Sequence, residues 1–420
     1  MSRASRPSFV FILADDLGYA DLGCYGGRAN CSPALDRIAA EGLRFTDGYA
    51  NSAVCSPTRF ALATGRWQYR FRGGADEPIP SRSRGSTVLG LPPEHPTLAS
   101  LLRDAGYATA LIGKWHLGFP PHFGPLKSGY QEFFGPVSGA VDYFTHCDSA
   151  GVHDLYQGEK EVHRSGYLTD LLSEEAVSFV KKARGKPFLL SLHYTAPHWP
   201  WEARTDAQES KRIASISHFD GGSVQTYAEM IRAMDEGIGK LMRELPENTC
   251  VVFTSDNGGE RYSDSWPLLG GKMDLLEGGI RVPYIVHWTK RGITPQLAIT
   301  MDWVATFLDA ADVAPHPGYP LDGASLLRKH PGRELFWRMK FRDQKAMRSG
   351  KWKWLSIEGS EFLFDLSNDA RERANMATRQ PATFEELRKR YAAWDASLPP
   401  IPDDAKVSLI GGAKEIAKPS

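Results

Sequence analysis

The chain has no surplus of either charge. Fifty lysines and arginines stand against fifty aspartates and glutamates in 420 residues. A protein held to nucleic acid or to an acidic membrane by bulk charge needs such a surplus, so both classes are set aside. It also lacks any stretch near the roughly 20 apolar residues that a membrane-spanning helix requires. The first residues lead straight into the strand-like run Phe9-Val10-Phe11-Ile12-Leu13. That run is short for a signal peptide, has no small-residue cleavage site and precedes acidic residues. A cytoplasmic protein is therefore expected, or a periplasmic or secreted one if a leader has been trimmed. Cysteine is scarce: Cys24, Cys31, Cys55, Cys147 and Cys250. The odd count, the wide spacing and the lack of any Cys-x-x-Cys pair argue against a disulfide framework and against structural zinc. Free thiols are expected, with a Cys24–Cys31 pair as the alternative. No internal repeat or low-complexity segment occurs.

What the chain does have is an alternation of strand and helix patterns. Phe9–Leu13 reads as a strand buried on both faces. Ser32-Pro33 opens a helix, serine as cap and proline in the first turn. Further helices are expected at 97–105, 168–182, 224–245 and 301–311, and strands at 107–112, 187–194, 249–254 and 282–286. This alternation implies an α/β fold, a large mostly parallel sheet sandwiched by helices. The last hundred residues change character. Three antiparallel strands (334–341, 345–357, 361–366) and a helix (383–393) point to a smaller C-terminal antiparallel-sheet-plus-helix subdomain. The expected division is 1–315, 316–400 and an extended tail, 401–420. Two irregular regions, 66–96 and 119–166, are either walls of a binding site or covers for the sheet.

Polar residues recur just after the expected strands. Asp15-Asp16 follows the first, Lys114 and His116 follow Tyr107–Ile112, His198 follows Phe188–Tyr194, and Asp256-Asn257-Gly258-Gly259 follows Val251–Thr254. Ligands of open α/β sheets bind outside the carboxyl ends of strands, so four segments would deliver these groups to one edge. Asp15, Asp16, Asp256 and Asn257 are hard oxygen donors, suited to calcium or magnesium rather than zinc. Lys114 and His116, two apart on an extended segment, would point the same way. Lys272 sits among glycines that let backbone approach an anion. Cys55 leads a helix, whose N-terminus favours anions.

Cys55-Ser56-Pro57-Thr58-Arg59 resembles the maturation signature of type I sulfatases, in the alkaline-phosphatase-like superfamily. Ala14-Asp15-Asp16, Gly113-Lys114-Trp115-His116, Ala196-Pro197-His198, Ser255-Asp256-Asn257-Gly258-Gly259 and Gly271-Lys272 match the same family in its order. The resemblance implies that a maturation enzyme oxidises Cys55 to formylglycine, whose hydrate attacks the sulfur of a sulfate monoester. It implies a metal, usually calcium, held by Asp15, Asp16, Asp256, Asn257 and residue 55. Arg59 would orient residue 55. Lys114 and Lys272 would hold sulfate oxygens, His198 or Lys272 would protonate the departing alcohol, and His116 would act as base. The substrate expected is a sulfated small molecule or saccharide; oligomeric state is left open. A phosphonate monoester or phosphodiester hydrolase with the same nucleophile, and a non-catalytic binder of sulfated ligands, are the alternatives. Trp199, Trp201, Tyr143 and Phe144 are read as packing before substrate stacking. Arg70, Arg72, Arg82 and Arg84 are read as a solvated basic loop before contacts to a second anion.

Overall fold

A computed structural model of the chain describes residues 6–212 and 221–408. The amino-terminal half runs β1 (Ser8–Ala14), α1 (Pro33–Glu41), β2 (Leu43–Phe45), β3 (Gly48–Tyr49), α2 (Cys55–Thr64), α3 (Leu98–Asp104), β4 (Ala108–Gly113), β5 (Glu132–Gly135), β6 (Tyr156–Gln157), β7 (Lys160–Glu161), α4 (Leu168–Lys182), β8 (Phe188–His193) and α5 (Ala207–Arg212). There follow α6 (Val224–Met242), β9 (Thr249–Ser255), α7 (Glu277–Ile280), β10 (Tyr284–His287), β11 (Gly292–Thr294), β12 (Ala298–Ile299) and α8 (Asp302–Ala311). Last come β13 (Glu334–Met339), β14 (Gln344–Ser349), β15 (Trp352–Ile357), β16 (Ser360–Asp365) and α9 (Pro381–Ala396).

Ten strands form one mixed, mostly parallel sheet in the order β11-β2-β10-β9-β1-β8-β4-β5-β6-β7. The core strands β9, β1, β8 and β4 are parallel, whereas β10 runs antiparallel to both its neighbours. Every residue of β1 is buried, and the two faces part by the period of the strand. Val10, Ile12 and Ala14 pack with α1, α4 and α6, while Phe9, Phe11 and Leu13 pack with residues of α2, α3 and α8. Each such large side chain contributes roughly 1.5–3 kcal/mol on burial.

The helix at Ser32 is capped differently from the sequence expectation. The Ser32 side chain makes no cap bond; instead the carboxylate of Asp235, on α6, accepts the Ala34 and Leu35 N–H groups at 2.9 and 2.8 Å. The C-terminal sheet also departs from the expected three strands. The run 345–357 folds back at Gly350 and Lys351, so β13-β14-β15-β16 is a four-stranded antiparallel sheet. One face carries α9, through Met347, Trp354 and Leu363 against Leu387 and Tyr391. The other, with Trp337, Ala346 and Leu355, packs against Val54, Cys55 and Ala61, in and just before α2.

Residues 401–408, the described part of the expected extended tail, are docked on the fold. Lys406 and Ser408 make backbone hydrogen bonds to Glu77 of 2.9 and 2.8 Å, and Lys340 Nζ donates to the carbonyls of Asp403 and Ala405, both at 2.7 Å. Residues 409–420 lie outside the described residues. Among the described residues no helix is long and apolar enough to cross a membrane. All five cysteines are unpaired.

Candidate active site

The parallel ladder continues for one step past the strand ends, and this draws four loops together. Asp256 N–H donates to Ala14 O at 3.1 Å, Asp15 N–H to Ala196 O at 3.1 Å, and Lys114 N–H to His193 O at 2.8 Å. Gly113 makes the last contact possible. Its φ is +112°, and a Cβ there would stand 1.8 Å from the His193 carbonyl oxygen.

These loops line one side of a cavity of about 540 Å³. Cys55, His116, His198 and Lys272 face it. Asp15, Asp16, Asp256, Asn257, Arg59 and Lys114 form a buried layer joined to them, each 1% exposed or less. The ligand atoms of Asp15, Cys55 and Asp256 lie within 4.8 Å of one another, as do those of Asp15, Asp16 and His198. So all ten residues singled out from the sequence converge.

Three cations answer the three carboxylates. Arg59 Nε and Nη2 donate to Asp256 Oδ2 at 3.1 and 2.8 Å, and its Nη1 to the Lys114 carbonyl at 3.0 Å. Its hydrogen bonds thus go to Asp256 and to the Lys114 backbone. Lys114 Nζ pairs with Asp15, and Lys272 Nζ with Asp16 at 2.6 Å. Burial works against a charged Asp16, but Lys272 and then His198 outweigh it and hold the carboxyl well below the usual range. Burial, then the Asp15 charge, push Asp256 up to about 6 against the pull of Arg59 and Lys114. Burial also pushes the Cys55 thiol up to about 11. An unmodified Cys55 is therefore a neutral thiol and a weak nucleophile at pH 7.

The histidines are held neutral, chiefly by burial, and their hydrogen bonds fix their faces. Nε2 of His116 lies 2.8 Å from the Ile79 carbonyl, which requires the proton there and leaves Nδ1, without a partner among the described residues, as the acceptor. Nδ1 of His198 lies 2.7 Å from the Trp199 carbonyl, and its Nε2 is 3.2 Å from Lys272 Nζ. The segment carrying Lys114 and His116 is not extended, as the sequence suggested. His116 takes φ +55°, so its ring faces the cavity while Lys114 stays in the buried layer. Asp16, at φ +63°, is left-handed too. Such backbone costs about 1–3 kcal/mol per residue and collects at functional sites.

Two buried oxygens, Asp15 Oδ1 and Asn257 Oδ1, have no hydrogen-bond partner among the described residues. With Asp16 and Asp256 they give an all-oxygen donor set, which fits a hard divalent cation. A further group of possible metal donors, His153, Glu161 and His163, lies outside the cavity lining and is largely exposed.

Several lining residues lie outside the ten candidates. Glu260, beside Lys272 at 3.8 Å, is pushed up to about 7 by burial; only its place next to Asn257-Gly258-Gly259 hinted at it. Pro78, Ile79, Pro80, Ser81 and Arg82 come from the first irregular region, and Val407 and Ser408 from the docked tail. Of the four aromatics, Trp199 lines the cavity. Tyr143 is buried with its hydroxyl on the Thr195 and His198 carbonyls, Phe144 packs against the core, and Trp201 meets Tyr262 edge-on.

The Sulfatase family model matches residues 7–313. The N-acetylgalactosamine-6-sulfatase of Homo sapiens is 33% identical over 352 residues, 76% of this chain and 65% of that protein. Arylsulfatase A of Homo sapiens is 34% identical over 394 residues, 83% of this chain and 75% of that one. The chain thus spans about two thirds of the length of the N-acetylgalactosamine-6-sulfatases it matches. Among solved structures, Ps i-CgsB in complex with k-i-k-neocarrahexaose superposes with a TM-score of 0.81 at 31% identity, covering 93% of both chains.

Proposed function

This chain belongs to the sulfatase family, and on that premise we propose that it hydrolyses a saccharide sulfate monoester to an alcohol and inorganic sulfate, with residue 55 as formylglycine. The observation that carries the proposal is the convergence of Cys55, His116, His198 and Lys272 on one cavity, over a buried layer of Asp15, Asp16, Asp256 and Asn257.

Calcium, or magnesium in its place, would be held by Asp15, Asp16, Asp256, Asn257 and residue 55, and supplies a Lewis acid for the sulfate oxygens. Formylglycine, made from Cys55 by a maturation enzyme and hydrated by water to a geminal diol, would supply a hydroxyl nucleophile and, through the second hydroxyl, a route of release that a serine lacks. The chain's own side chains do the rest. Lys272 and Lys114 offset the charge of the sulfate oxygens. Arg59 keeps Asp256 in place and the carboxylate layer ionised. Lys272 and His198, in contact at 3.2 Å, share a proton for the departing oxygen. His116, with Nδ1 as acceptor, takes the proton given up at residue 55. The α2 N-terminus adds its dipole on the side of the anion.

Mass spectrometry of the peptide carrying residue 55, from protein made with a maturation enzyme, should show formylglycine, and the same protein should release sulfate from a saccharide sulfate. Modified protein that cleaves a phosphonate monoester and no sulfate ester would overturn the assignment.

A further inference from the structure

The basic residues of the first irregular region do not share one fate. Arg70 is clamped by Asp322, with both of its hydrogen bonds at 2.7 Å. Arg72 bridges Asp76 at 2.6 Å and Asp404 at 2.9 Å. Arg84 holds Asp148 at 2.7 Å and Asp154 at 3.3 Å, and lies over the Phe119 ring. Arg82 has no carboxylate partner among the described residues. Its guanidinium makes one long contact, 3.3 Å, to the Ser408 hydroxyl. It alone of the four lines the cavity that Cys55 and Lys272 share.

Its place is built rather than incidental. Arg82 sits in a tight turn, Ser81–Ser83, between the neutralised Arg72 and Arg84. Opposite, the segment that bears Ser408 is fixed by its backbone bonds to Glu77 and by Asp404 on Arg72. Paired arginines on either side thus brace a loop that presents one uncompensated guanidinium to the cleft. A planar guanidinium prefers a carboxylate or a sulfate, which it can meet with two parallel hydrogen bonds. The sulfate under attack is already matched, by Lys272, Lys114 and the cation site around residue 55. An anion at Arg82 must therefore belong to the leaving alcohol.

We infer that Arg82 is a substrate-recognition residue, and that the substrate is a saccharide sulfate whose leaving-group side carries a second negative group, a uronate carboxylate or another sulfate. The inference rests on the sulfatase reading of the cleft. The side chain is exposed before substrate binds, so solvent screening limits its contribution. A charge-assisted contact partly covered by the sugar supports a preference of about tenfold.

The test compares kcat/KM for three disaccharide sulfates: one with a neutral neighbouring sugar, one with a uronic acid neighbour and one with a second sulfate. Wild-type protein carrying formylglycine should favour one of the two dianionic substrates over the neutral one, and the favoured one identifies the anion. R82Q should shrink that ratio about tenfold, mainly through KM, and R82K should restore part of it. Raised salt should shrink it in the wild type alone. Sulfate release at similar rates from all three, or a ratio that R82Q leaves intact, overturns the inference while the sulfatase reading stands. No release from any sulfate ester by the modified protein overturns both.

Discussion

The cleft end of the large sheet and the seam between that sheet and the C-terminal one bury ionic clusters of similar make-up. At the seam, Lys353 Nζ, fully buried, meets Glu277 at 3.0 Å, Glu372 at 2.7 Å and the Leu275 carbonyl at 2.7 Å. The Tyr49 hydroxyl donates to Glu277 at 2.7 Å. Burial pushes Glu372 up to about 7, much as it pushes Asp256 up to about 6 in the cleft. Perturbed carboxyls therefore do not tell the two clusters apart. Access does. The cleft cluster borders a cavity with a thiol, two neutral imidazoles and a lysine on its wall, and leaves Asp15 Oδ1 and Asn257 Oδ1 without partners among the described residues. The seam spends its charges on holding β15 to the α7 segment. One cluster is arranged to meet a ligand, the other to join two sheets.

The sharpest way to break this contrast is to remove the nucleophile. Cys55→Ala should lower sulfate release by about a thousandfold or more, while the unfolding free energy stays within about 1 kcal/mol of wild type. Unchanged turnover would refute the assignment of residue 55. Asp256→Ala comes next. It removes an oxygen donor and strips Arg59 of its main partner, so calcium or magnesium content by atomic emission should fall well below one ion per chain. Wild-type occupancy in that variant would contradict the donor set.

The seam should answer in the opposite currency. Lys353→Met leaves Glu277 and Glu372 buried without their cation, and breaking such a pair costs about 3–5 kcal/mol. Urea unfolding should show that loss, while activity per folded molecule in mild conditions is retained. A large drop in turnover of folded K353M, with little loss of stability, would mean that the seam is part of the site.

How much of this was legible beforehand follows from the same contrast. The cleft residues stand directly after strands whose apolar runs are unmistakable, and each carries chemistry, so Asp15, Lys114, His198 and Asp256 could be picked out in sequence. The seam could not, because Glu277, Lys353 and Glu372 come from three distant segments and look like any surface charge. The same reason hid Glu260 and Ser408 as cavity walls, whereas Arg82 lies in a region that the sequence left open between wall and cover. Strands such as β2, β11 and β12 have two or three residues, too few to show a period. The Ser32 cap failed because tertiary structure supplied a stronger acceptor, Asp235, from 200 residues away.

The smallest effect is the most discriminating between a seam that stabilises and one that merely tolerates charge. Glu372 has a folded-state pKa of about 7, above roughly 4.3 in an unfolded chain. A raised value means that the folded protein holds the proton more tightly. The favourable contribution is then complete below about pH 4 and is lost as pH rises through 7. Glu372→Gln carries a permanently neutral group of nearly the same shape and should escape that loss. From pH 5 to pH 8 its urea-unfolding free energy should decline less than that of the wild type, by on the order of 1 kcal/mol. Lys353 limits the size of the effect, since it favours the ionised carboxylate, but it does not change the sign while burial dominates. Parallel pH profiles for the two proteins would mean that Glu372 is ionised throughout, and that the seam is a compensated ion pair rather than a carboxyl kept protonated by burial.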